Sequence, residues 1–153
     1  MSIDWTNPTD QVSTHFTVRE ALWLPTWGRM ANASDGLDDT VKANLVAMFA
    51  LMDQVRDLIG QPIHVHVAYR PEAYNKLIGG APDSAHKALN GAAVDWDANV
   101  GLSTTGANCD QLRVILEPKL ESMGLRMERR PGSNWVHLDN RALLPGGNRF
   151  FWP

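Results

Sequence analysis

Histidine and aspartate recur close together at two places in this chain. Ser84-Ala-His86 is followed by Gly91-Ala-Ala-Val-Asp95 and Asp97, and later Trp135-Val-His137-Leu-Asp139 repeats the pairing. Imidazole nitrogens and carboxylate oxygens are donors that zinc takes, in about four positions of which a catalytic ion leaves one to water. His86, His137 and one aspartate fill three of them. In that arrangement His86 opens a loop, Asp95 returns on a strand, and a neighbouring strand brings His137 against both. Strand residues two apart share a face, so Asp97 is the rival ligand to Asp95, which is the favoured one. On spacing alone an equal alternative stands, in which Asp95 and Asp97 are solvated edge charges and His86 is a loop histidine. His15, His64 and His66 have no neighbours that single them out.

Several elements must position these groups. Thr17-Val-Arg-Glu20 has the capping-box pattern, which predicts a short helix from Val18 toward Leu24, ended by Pro25. Between Asp38 and Ile59 the apolar residues Val41, Leu45, Met48, Phe49, Met52, Val55 and Ile59 fall three or four apart, one stripe of a long helix stopped by Gly60 and Pro62. Ile63 to Ala68 alternates as a strand, with Ile63, Val65 and Val67 toward the core and His64, His66 and Arg70 on the other face. A short helix from Pro71, closed by Gly79-Gly80, precedes a loop. Gly91 to Trp96 is a second strand, and Asn108 caps a helix that runs to Met123 with a disturbance at Pro118. Leu125–Arg129 and Trp135–Asp139 form a hairpin, and the aromatic tail from Pro145 packs back on the domain.

The chain has 153 residues, 44% of them apolar, enough for one domain with its own core over residues 1–153. A formal charge of −3, from 14 Lys plus Arg against 17 Asp plus Glu and with no like-charge block, argues against a nucleic-acid partner. The longest apolar run, around Leu45 to Leu51, is too short for membrane insertion. The N-terminus has no basic start followed by an apolar stretch, so synthesis in the cytoplasm without a signal peptide is expected. The single cysteine, Cys109, is expected in the core, and of the six tryptophans some are expected to line a groove.

Taken in order, Ala68-Tyr69-Arg70-Pro71, Asn75, Gly79-Gly80, Ser84-Ala-His86, Gly91-Ala-Ala93-Val-Asp95 and Trp135-Val-His137 resemble the motifs of zinc peptidases that cleave peptidoglycan stem peptides, over roughly residues 40 to 140. That family includes D-alanyl-D-alanine carboxypeptidases and the L-alanyl-D-glutamate endopeptidases of phage endolysins. Every fixed residue type of its Ser-x-His-x-x-Gly-x-Ala-x-Asp motif is present, with four residues, Lys87 to Asn90, where the family has two. A second departure is Asn134, in the slot where many members carry an acidic general base. Asn134-Trp-Val-His-Leu-Asp139 is most similar to the branch with Gly-Phe-Val-His-Val-Asp, which also lacks that acid.

The resemblance implies a zinc metallopeptidase with His86, Asp95 and His137 as Zn2+ ligands. Arg70 would steady the substrate carbonyl or oxyanion. Asp139, two residues beyond His137 and so on the same strand face, is placed to orient that imidazole or assist proton transfer, and Glu128 on the opposing hairpin arm is the second candidate. Tyr69, Ser84 and Trp135 are implied at the substrate, Ser84 also supporting the metal site. The implied fold is α+β, a small antiparallel sheet covered by helices, with the zinc site on the exposed sheet face in a groove. The implied setting is the bacterial cell wall, in a phage-type lysis or tail-associated enzyme that reaches peptidoglycan through a holin or tail proteins. The alternative is a non-catalytic peptidoglycan-binding or structural phage module that keeps the fold.

Overall fold

The computed structural model describes residues 2–153. Thr17 and Glu20 close the expected capping box on α1 (Val18–Leu22). The helix stops at Leu22, not Leu24, because Pro25 disfavours the helical region for the residue before it. Trp23–Leu24 (β1) instead pairs with Arg29–Met30 (β2) in a small antiparallel ribbon. Helix α2 (Asp39–Ile59) is capped by the Asp38 side chain on the Val41 N–H, 3.0 Å away. Gly60, at φ +65°, ends it in the left-handed conformation that glycine adopts without a Cβ clash. The anticipated stripe is buried from Val41 to Val55, and its last member, Ile59, is partly buried against the core.

The main sheet runs in the order β3 (His64–Val67), β4 (Ala93–Asp97), β6 (Val136–Asp139), β5 (Arg126–Glu128), β7 (Phe150–Phe151). The helix α3 (Glu72–Leu77) and a single turn at Ala85–Lys87 lie between β3 and β4. Helix α4 (Thr105–Leu116) continues through a 3-10 turn at Glu117–Lys119, where Pro118 lies, into α5 (Leu120–Met123). Its cap is Thr104, whose hydroxyl accepts from the Ala107 N–H at 3.2 Å. Asn108 sits inside the helix and spans the loop before it, accepting from Val100 and Leu102 N–H and donating to the Leu102 and Thr104 carbonyls.

Alternation along the strands divides the sheet into two faces. Val94, Trp96, Val136, Leu138 and Met127 pack with the helices in one core cluster. The polar residues of β4, β5 and β6 take the other face, as Asp95, Asp97, His137, Asp139, Arg126 and Glu128.

Two parts of the expected fold are corrected. The sheet is mixed, because β7 joins β5 in parallel, Met127 opposite Phe150 and Glu128 opposite Phe151. And the expected zinc site is not in an exposed groove: His86, Asp95 and His137 are only 3%, 8% and 8% accessible. The Ala85–Lys87 turn folds over that face, tied down by the Arg70 N–H on the His86 carbonyl at 2.7 Å. The C-terminal segment covers it from the other side, with the Phe151 ring edge-on to the His137 imidazole. A smaller correction concerns β3, where a bulge between Val65 and Val67 sends Val67 to the polar face instead of the core.

Cys109 is fully buried in α4, and burial, aided by Asp97 and Asp110 against Arg113, pushes its thiol up to about 11. The native protein is therefore expected to resist a disulfide-forming thiol reagent at pH 8, where about one thiol in a thousand is ionised, and to react fully in denaturant. Stoichiometric labelling of the native protein within seconds would contradict this.

Candidate metal centre

Three donor atoms meet on the covered sheet face. The register Asp95 opposite His137 between β4 and β6 brings the aspartate and the second histidine together across the ladder. The His86 ring reaches them from the Ala85–Lys87 turn, which Ser84 caps by accepting the His86 N–H at 3.2 Å. His86 Nε2 lies 3.1 Å and His137 Nδ1 2.9 Å from one and the same oxygen, Asp95 Oδ1. One atom from each residue falls within 4.8 Å of the others.

The outer edges of both rings are occupied. His86 Nδ1 is 2.7 Å from the Ala68 carbonyl, which only accepts, so this nitrogen carries the hydrogen and Nε2 turns a lone pair inward. His137 Nε2 is 3.0 Å from Asp139 Oδ2, which leaves Nδ1 as its inward atom. Two inward lone pairs facing a carboxylate oxygen repel unless a cation or a proton lies among them. Outer hydrogen bonds of this kind set the tautomer of metal-bound histidines, so the donor set fits a zinc ion. Without an ion the charges balance through protons. Burial opposes the His137 cation, but hydrogen bonds to Asp139 and Asp95 override it and raise this imidazole to about 10. Burial also opposes ionised Asp95, yet His86 and His137 hold it well below the usual carboxylate range.

Asp139 lies behind His137 and is wholly inaccessible. Arg126 Nε and Nη2 donate to its two oxygens at 2.8 and 2.9 Å, and the Arg141 N–H adds a bond at 3.1 Å. Arg70 Nη2 donates to Asp95 Oδ2 at 3.2 Å, while its buried Nε has no hydrogen-bond partner. Arg70, Ser84, Glu128 and Trp135 all line a cleft of about 900 Å³ that reaches His86, Asp95 and His137. Trp152 lines it as well, so two of the six tryptophans face this cleft, while Trp96 is in the core.

Tyr69 is not brought to the cleft. It is packed into the core cluster, its hydroxyl 3.5 Å from where a Cβ on Gly36 would stand, and burial together with Asp38 and Asp35 pushes it up to about 12. Asn134 is exposed and turned toward Gly106 of α4, outside the cleft lining. Asp97 stays apart from the His86 cluster and meets His64 and His66. Sequence reasoning did not single out Arg126, the partner of Asp139. Its signal was the alternation Arg126, Glu128 about Met127, which sets both charges on the face opposite the core.

Comparison with curated proteins and with solved structures gave no match. A family model described as Peptidase M15 matches residues 15–139, a span that holds the whole His86, Asp95 and His137 cluster. By that match over most of its length, the chain belongs to the peptidase M15 family, the zinc D-Ala-D-Ala carboxypeptidase family.

Proposed function

We propose that the protein is a zinc peptidase that hydrolyses amide bonds in peptidoglycan stem peptides, with His86, Asp95 and His137 holding the ion. The observation that carries this reading is the convergence of His86 Nε2, His137 Nδ1 and Asp95 Oδ1 at the bottom of a cleft, each ring tied at its outer edge. Zinc bound there supplies a polarising charge and a water acidic enough to lose a proton near neutral pH. The Arg70 side chain lines the cleft and is 19% exposed there, so its guanidinium is the cation assigned to the substrate carbonyl as negative charge grows on it. Trp135 offers an apolar wall to the peptide, and Ser84 holds the His86 turn.

Asp139 positions His137 in this reading and takes no proton, since four donors occupy it and it stays ionised, lowered to about 2. Glu128 is the carboxylate assigned the proton transfer. It lines the cleft, shares the polar face with Arg126, and has one oxygen engaged, by Arg130 at 3.0 Å. The same reading puts the enzyme in a lysis or tail-associated setting at the cell wall, reached through a holin or tail proteins. No described helix is long and apolar enough to cross a membrane.

Zinc-loaded protein is expected to release new amino groups from purified peptidoglycan, a chelator to stop the release, and added zinc to restore it. Fragment masses then identify the bond. One observation favours a second reading, a non-catalytic wall-binding module: Asn134 occupies the slot where many relatives carry the base. Sedimentation with peptidoglycan without any release of amino groups would favour that module and exclude the peptidase.

A further inference from the structure

We propose a second divalent-metal site, separate from the buried centre, formed by His64, His66 and Asp97 at the edge of the polar sheet face. The β3 bulge creates it. From the pairs His64 opposite Asp97 and Val65 opposite Trp96, an unbroken antiparallel ladder would next set His66 opposite Asp95. Val67 stands there instead, which leaves His66 as the extra residue, turned onto Asp97. Bulges re-aim side chains in this way. Both imidazoles then address one oxygen: His64 Nδ1 is 3.2 Å from Asp97 Oδ2, and His66 Nε2 hydrogen-bonds the same atom. The two rings are 4.9 Å apart and tilted, and one donor atom from each of the three residues falls within 4.8 Å of the others.

Two imidazoles and a carboxylate on adjacent strands are the donors that first-row divalent ions take, with positions left for water. Ca2+ and Mg2+ prefer oxygen ligands throughout, so the site suits Zn2+, Co2+ or Ni2+. It is also open to load from solution. The side chains of His64, His66 and Asp97 are 72%, 36% and 21% exposed, against 3% for His86. Asp97 and Asp95 are alternate residues of one strand, roughly 7 Å apart along it, wider than the ~4 Å of two-metal catalytic sites, so this ion stands beside the buried one and is not its co-catalyst. His66 also lines the cleft, which makes the site part of its wall.

The test is metal stoichiometry of the metal-stripped full chain, dialysed against Zn2+ alone or Co2+ alone, for the parent and three variants. The parent is expected to bind two equivalents, the second more weakly. The double variant His64→Ala/His66→Ala and the single variant Asp97→Asn each keep one, as their positions at the sheet edge leave the core untouched. His137→Ala keeps the rim equivalent. In the parent, the second Zn2+ equivalent should shift the imidazole NMR signals of His64 and His66. A double variant that binds as many equivalents as the parent overturns the proposal, whether the parent takes up one or two. Failure of the buried centre reads differently: His137→Ala would then bind as much metal as the parent, whatever the rim variants do.

Discussion

His137→Ala is expected to lose its tightly bound zinc and to lower kcat/KM on peptidoglycan by about 1,000-fold or more, because the variant lacks an ion to polarise the scissile amide. His137 is the link between the two carboxylates of the site, with Asp95 Oδ1 at 2.9 Å on one side of the ring and Asp139 Oδ2 at 3.0 Å on the other. Both aspartates keep partners when the ring is removed. Asp95 retains His86 and Arg70, and Asp139 retains the two-pronged bond from Arg126. The fold should therefore survive, and a circular dichroism spectrum like the parent's separates lost chemistry from lost structure. Zinc content by emission spectroscopy and amino-group release are measured on the same sample. Parent-like values of both would remove His137 from the metal centre.

Much of this site is legible in the sequence. The stripe from Val41 to Val55 has the helical period, and burial follows it residue by residue. Val94 to Asp97 and Val136 to Asp139 alternate apolar and polar residues, so Asp95 and His137 are legible as sharing a face once the strands pair. What the sequence hid is set by contacts between distant segments. Val67 follows the alternation of Ile63 and Val65, yet the pairing of β3 with β4 inserts a bulge there that no local pattern announces. The two residues Phe150–Phe151 are too short to show a strand period, and their parallel pairing with β5 is what makes the sheet mixed. The burial of the cluster has the same origin, since the Ala85–Lys87 turn and the C-terminal segment that cover it come from opposite sides of β4 in the chain. Thr104 and Asn108 are both good cap residues one turn apart. The choice fell to Thr104 because Asn108 is engaged with the preceding loop.

Asp139→Asn carries the largest expected loss of stability, on the order of 3–5 kcal/mol, the cost of leaving buried charge unpaired. Asp139 is fully buried and accepts from Arg126 twice, from His137 and from the Arg141 N–H. An asparagine of the same shape replaces one acceptor oxygen with an NH2 that meets a guanidinium or an imidazole N–H, donor against donor. The acid limb of stability tests the same contact. Burial alone would raise the Asp139 carboxyl, but the bonds and charges of His137 and Arg126 lower it from 3.8 to about 2. Between those values the unfolded chain binds the proton and the folded chain does not, so stability rises with pH across that window and is fully present above it. The metal-free parent should lose on the order of 2 kcal/mol from this group as pH falls from about 4 through about 2. Urea titrations in a chelator should show that limb in the parent and a flatter one in Asp139→Asn. Zinc affinity separates positioning from mere stability: with the outer edge of His137 no longer held by a carboxylate, the folded variant should bind zinc about 10- to 100-fold more weakly. A variant with the parent's urea midpoint, acid limb and zinc affinity would show that Asp139 neither orients His137 nor holds the sheet face together.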